Sequence, residues 1–296
     1  MAALTSPADF DAYWAQVMAE LAALPLAPEL EVLPLRSTEF ATTYGLKLTS
    51  IGPYRIFAYY CVPHGPGPFP VRYHLPGYGS VVHIPPYEER RQAVCVALCH
   101  RGQRRSDTPF AASYPGLLTH GLLSPTTYIY RGIVADCCRV IDFLLTRPEV
   151  DPERIALVGG DLALFTAALR PAVRAVAVAQ PLLFYDLPAV TRETSEYPYE
   201  EINDLLRAHP DQAPAVWTTL AYFDPLAFAP RIRAAVLLMH GGPGALFSPE
   251  RAARLQAALA GPTTLYQRTG YGYTDHQALE SWLQERLAAR PAGERT

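Results

Sequence analysis

The chain has 296 residues, half of them hydrophobic, and a formal net charge of −3. That is enough apolar chain to bury a large core, and the balanced charge gives no footing for a nucleic-acid or membrane-surface partner. No apolar run approaches the ~20 residues needed to cross a bilayer, and the start MAALTSPADFDAYW lacks the basic, apolar and cleavage segments of a secretory leader. A cytoplasmic protein without a cofactor is expected.

In chain order, Ser6-Pro7 predicts an N-cap followed by a first helical proline. Phe10, Trp14, Val17, Met18 and Leu21 then form a helical stripe that stops before Pro25. Residues 1–28 are therefore expected as a helical extension. From Leu30 to Pro63 the pattern is strand-like, clearest in YRIFAYYCV (54–62). VRYHL (71–75) and AVCVAL (93–98) read as buried strands, and residues 127–150 as one helix with 3.6-residue spacing. Then follow RIALVGG, the helix DLALFTAALR, VRAVAVAQ, a polar stretch at 191–198 and helical segments to about Tyr222. The chain closes with strand AAVLLMH (234–240), helix SPERAARLQAALA, strand TTLYQR and a helix over 274–289, leaving 291–296 as a frayed tail.

Strands alternating with helices imply a mostly parallel sheet covered on both faces, with sites beyond the carboxyl ends of its strands. The five cysteines are Cys61, Cys95, Cys99, Cys137 and Cys138. Cys95 and Cys99 have C-x3-C spacing, but they lie in an apolar run without a second pair, so buried free thiols and no metal are expected. Asp136 and Arg139 are spaced to pair locally on the long helix. Ser248, before Pro249, reads as an N-cap.

The most informative segment is IALVGGDLALF, residues 155–165. A β-rich run ends in Gly159-Gly160 and a helical run starts at once, as where α/β-hydrolases set a nucleophilic serine on a G-x-S-x-G elbow. With HLPGYGS before it, HRGQRRSD at 100–107, and the tyrosine-rich helix leading into VDPERIALVGG, the chain resembles the acetyl xylan esterase / cephalosporin-C deacetylase family of α/β-hydrolases. The resemblance runs from about Phe10 to the last helix. It implies an α/β fold forming a single α/β-hydrolase domain over 1–296, a homo-oligomer (a ring-like hexamer or its dimeric unit), and a small acylated ligand. It also implies a pocket and oxyanion region at Tyr78, Leu162, Gln103 and Pro181. Arg101, Gly102, Gln103 and Asp107 are expected to brace the neighbouring turn.

The departures from the family pattern fall on the reactive positions. GGSQGG reads GGDLAL, so Asp161 stands where the serine nucleophile would be. The acid position falls near Gly244, with no Asp or Glu between Arg233 and Glu250. The base line Y-P-x-x-G-H reads YQRTGY, so Tyr271 replaces the histidine. A tyrosine of ordinary pKa ~10 cannot take a serine's proton at neutral pH, and glycine cannot orient an imidazole.

Three readings follow. In the first, the chain is a pseudoenzyme: Asp161 caps its helix through backbone N–H groups, bonds the Tyr271 hydroxyl, and leaves a ligand-binding or assembly role. In the second, Asp161 is itself a nucleophile with His276 or His240 as relocated base, or a non-hydrolytic enzyme reuses the pocket. In the third, the chain serves in an oligomer. If only the reactive atoms have gone, Asp161→Ser, Gly244→Asp and Tyr271→His together should restore weak esterase activity.

Overall fold

The computed structural model describes residues 4–242 and 245–288. Helix α1 spans Phe10–Ala22, later than Ser6-Pro7 predicts, and its N-cap Asp9 makes no side-chain capping bond. Its buried stripe holds the predicted Phe10, Trp14, Val17 and Leu21. Strands β1 (Glu29–Val32), β2 (Ala41–Ser50) and β3 (Tyr54–Pro63) follow as an antiparallel run. Next come β4 (Phe69–His74), β5 (Val94–Cys99), α2 (Ile129–Leu144), β6 (Val150–Gly159), α3 (Asp161–Leu169) and β7 (Ala175–Val178). The long helix ends six residues earlier than its spacing predicts, because Val150 already pairs with Phe69 as the start of β6.

The segment after β7 folds into α4 (Leu187–Glu193), α5 (Glu200–Ala208), α6 (Ala213–Ala221) and α7 (Pro225–Phe228). The chain then closes with β8 (Ala235–His240), α8 (Pro249–Ala258), β9 (Thr263–Gln267) and α9 (Gly272–Leu287). The Ser248 side chain accepts from the Arg251 N–H at 3.3 Å, capping α8 as expected.

The described strands form one sheet in the order β1-β2-β3-β5-β4-β6-β7-β8-β9, parallel from β5 onward. The period-2 alternation of strands decides what covers each face. Ile155, Leu157, Val176, Val178, Val236 and Leu238 join the large core with α1, α2 and α3. Their neighbours Ala156, Val158, Ala175, Ala177, Leu237 and Met239 face α9 through Trp282, Leu283 and Leu287. The alanines on that face let α9 lie close to the sheet. Burying each large apolar side chain contributes about 1.5–3 kcal/mol.

Helix α1 is tied to the far end of the chain. The Trp14 indole N–H donates to the Tyr222 carbonyl at 3.1 Å, and its ring packs edge-on against Phe223. All five cysteines are free and buried. The Asp136–Arg139 pair expected on α2 does not form: Asp136 bonds Arg101, while Arg139 donates to the Leu21 and Leu24 carbonyls and lies 3.9 Å from Asp142.

Candidate functional site

The carboxyl ends of β4, β5, β6 and β7 converge on a cavity of about 480 Å³. Its walls include Tyr78, His100, Asp161, Leu162, Pro181 and Tyr199. Tyr78, Leu162 and Pro181 thus lie where the sequence puts the pocket. Gln103 does not line it, because its side chain is spent on the turn behind. It donates to the Gly79 carbonyl at 2.6 Å and accepts the His100 N–H at 3.0 Å.

That turn is a densely bonded brace. The Arg101 guanidinium and backbone N–H both bond the Asp136 carboxylate, at 2.7–3.0 Å, and Nη2 also reaches the Ile51 carbonyl at 3.1 Å. Gly102 has φ +86°, and a Cβ there would come 2.7 Å from the Phe110 ring, so only glycine fits. Asp107, expected to brace this turn, is exposed and its side chain makes no hydrogen bond or ion pair among the described residues. Ser106 does that work, donating to the Cys99 carbonyl at 2.7 Å and accepting the Phe57 N–H at 2.8 Å. Tyr78 is held over the pocket by a hydroxyl bond to Glu201, whose other oxygen accepts the Leu118 N–H.

The elbow has a different character. A Cβ on Gly160 would come 2.4 Å from the Pro181 carbonyl oxygen, so this glycine lets the β6–α3 turn approach the loop after β7. Asp161 follows as the first residue of α3, only 3% exposed. A nucleophile elbow holds its residue on a strained turn with the reactive atom exposed. Here the non-glycine residues of positive φ among the described residues are Ala27, Arg105 and Asp186, so Asp161 carries no such strain. Its Oδ2 accepts the Leu183 N–H, and its Oδ1 accepts the Phe184 N–H at 3.3 Å. Burial pushes the carboxyl up to about 7, against the lowering effect of those two N–H donors.

The Asp161–Tyr271 hydrogen bond expected from the sequence does not form. Tyr271 is 74% exposed, at the N-terminus of α9. The preceding loop is folded onto Asp275, whose carboxylate accepts from the Thr269 N–H at 2.9 Å and the Tyr266 hydroxyl at 3.0 Å. Asp275 also donates its own N–H to the Tyr271 carbonyl at 3.0 Å, fixing Tyr271 as an outward helix start. Gly244 lies outside the described residues.

Neither backup histidine reaches Asp161's cavity. His276 lines a cleft with Arg72, Glu89 and Glu280 that shares no residue with it. His240 is buried at the end of β8, and its Nδ1 has no hydrogen-bond partner among the described residues. Burial pushes its pKa down.

The histidine that does line the cavity is one the motifs did not single out. His100 directly follows β5, and its Nδ1 lies 2.7 Å from the Arg101 carbonyl. A carbonyl only accepts, so Nδ1 carries the hydrogen and Nε2 is left as an acceptor. Burial pushes its pKa down to about 4, which keeps the ring neutral. Its place one residue past a buried parallel strand was the available signal.

A second cavity, of about 360 Å³, adjoins the first and shares Gln180, Pro181 and Tyr199 with it. It lies at the ends of β7, β8 and β9, on the side from which a hydrolase's acid and base would come. Met239, Leu246, Phe247, Arg251 and Arg268 are among its walls.

Residues 1–287 match the family model described as acetyl xylan esterase. An acetyl esterase, Axe7A, of Xylanibacter ruminicola is 27% identical over 252 residues, which are 80% of this chain and 56% of that protein. The chain thus spans little more than half the length of that curated relative. Among solved structures, an acetyl xylan esterase from Paenibacillus sp. R4 is 26% identical with a TM-score of 0.82, covering 95% of this chain and 96% of that one. Acetyl xylan esterase 1 from Thermoanaerobacterium sp. JW/SL YS485 shares the fold, with a TM-score of 0.83 at 24% identity over 97% of this chain and 96% of that one.

Proposed function

The chain belongs to the acetyl xylan esterase family, and we propose that it is a member that binds a small ligand at the former active site without serine-esterase catalysis. The observation that carries this reading is Asp161. It occupies the elbow position in ordinary helix geometry, with both carboxylate oxygens bonded to backbone N–H groups. The exposed Tyr271 and the lack of an acidic residue between Arg233 and Glu250 support the same reading. Removing the nucleophile and base together leaves only what the pocket and its oxyanion donors can do, since the triad acts as a unit. The test is hydrolysis of 4-nitrophenyl acetate. A turnover below ~1 s⁻¹, the low end for enzymes, is expected. Faster turnover that a serine-directed phosphonate abolishes contradicts the reading.

A second reading keeps Asp161 as a nucleophile and draws on His100, which lines the same cavity and whose Nε2 has no hydrogen-bond partner among the described residues. Turnover lost in Asp161→Asn but untouched by the phosphonate would favour it. We also propose a homo-oligomer, dimer or hexamer. Light scattering that returns a 32.6 kDa monomer across the micromolar range argues against it.

A further inference from the structure

We propose that the second cavity is a carboxylate-binding pocket, with Arg268 as the anchor and an apolar chamber for the ligand's body. The inference deepens the binding reading above, and rests on it, by naming the class of ligand. Among the described residues, two charged side chains line this cavity, Arg251 and Arg268, and no acidic one does.

Arg251 is already neutralised. It pairs with Asp186 at 3.0 Å and Glu193 at 2.7 Å. Arg268 has no carboxylate within ion-pair distance among the described residues. Instead, Nη2 donates to the Ala179 carbonyl at 2.6 Å and Nε to the Met239 carbonyl at 3.4 Å. These carbonyls follow β7 and lie within β8, so two neighbouring strands fix the guanidinium in place while Nη1 makes no bond to the described protein. A planar cation held by neutral carbonyls keeps its full charge and a preset orientation, which favours carboxylate or phosphate.

The remaining walls choose between those anions. Leu182, Val190, Met239, Leu246 and Phe247 present hydrocarbon, and the Tyr185 and Tyr199 hydroxyls are occupied by the Arg251 and Leu182 carbonyls. Beyond Arg251, which is already paired, and the Gln180 amide, such a chamber offers little to the further oxygens of a sugar phosphate, and buried oxygens without partners oppose binding. A monocarboxylate on a compact apolar body satisfies both parts, and 360 Å³ suits a ligand of that size. Arg268 stands three residues before Tyr271 on the family's base line, so the cation lies on the side where the acid–base pair would lie.

The test is calorimetric titration of the full chain with benzoate, benzamide and inorganic phosphate, repeated on Arg268→Gln and Arg268→Lys. Benzoate should bind at least about tenfold more tightly than benzamide, as expected for a charge-assisted bond, and more tightly than phosphate. Arg268→Gln should remove that preference and Arg268→Lys should keep part of it. The benzoate–benzamide comparison needs no variant, so it stands even if Arg268→Gln fails to fold. Equal binding of benzoate and benzamide, no benzoate binding at about 10 mM (ten times a dissociation constant of ~1 mM), stronger binding of phosphate, or benzoate binding unchanged in Arg268→Gln each overturns the inference. Ester turnover is read separately. Its appearance would count against the loss of catalysis, whereas absent turnover with no benzoate preference would defeat this inference alone.

Discussion

The two halves of the pocket rim have different characters. On the β5 side, the turn over residues 100–107 is held by Arg101, Gln103 and Ser106, whose side chains are consumed in bonds to Asp136, Gly79 and Cys99. On the β6 and β9 side, the two positions that line up with the family's nucleophile and base hold structural places. Asp161 has joined a helix start and Tyr271 points to solvent. The contrast teaches that the family's pattern is kept where its residues also hold the fold, whereas a position whose strain would serve only chemistry has no such structural hold.

The comparison can be broken first at the brace. Arg101→Ala would leave the Asp136 carboxylate buried without its cation, and breaking such a pair costs about 3–5 kcal/mol. At about 2–4 °C per kcal/mol for a large domain, the melting midpoint should fall by roughly 10 °C. A drop of a degree or two would mean that the brace is not what preserves this half.

The elbow should respond through pH. An ordinary aspartate titrates near 3.8, and burial raises Asp161 to about 7 in the folded protein. The folded state therefore keeps a proton that the unfolded chain has released. The stability gained from that proton is fully present below pH 4 and is lost as pH rises to about 7, by up to ~4 kcal/mol at 1.36 kcal/mol per unit. Asp161→Asn lacks this slope, so its melting temperature relative to the parent should rise between pH 4 and pH 7.5. Asp224, also raised by burial, to about 6, titrates in both proteins and largely cancels in the difference. A flat difference curve would mean that Asp161 is ionised throughout.

The smallest effect belongs to Tyr271. Exposed, and with its hydroxyl unbonded among the described residues, it should tolerate Tyr271→Phe within about 0.5 kcal/mol. A larger loss would show that the hydroxyl has a partner in solution, and would return it to the site.

Most of the architecture was legible in the sequence. Periodicity and the glycine pair placed the strands around 155–160 and 235–240, because a buried parallel strand needs a continuous apolar run. The identities at Asp161 and Tyr271 were legible too, but their directions were not. Whether a side chain faces a pocket depends on backbone φ at the turn and on partners distant in sequence, such as the Leu183 N–H for Asp161. The cation at Arg268 was hidden for the same reason, since its meaning lies in having no carboxylate within ion-pair distance among the described residues. His100 was a strand-end residue overshadowed by the signature that follows it.

The proposed loss of serine-esterase catalysis rests on Asp161 lying in α3 without the strain of a nucleophile turn. Its most direct test is the triple variant Asp161→Ser, Gly244→Asp, Tyr271→His, assayed with 4-nitrophenyl acetate beside the parent. Restoring atoms to an otherwise intact frame should return weak turnover. With the elbow relaxed into α3 and residue 271 facing outward, the account predicts a folded triple variant no faster than the parent. Turnover at least about a hundredfold above the parent, the lower range of a working general base, and blocked by a serine-directed phosphonate would contradict it.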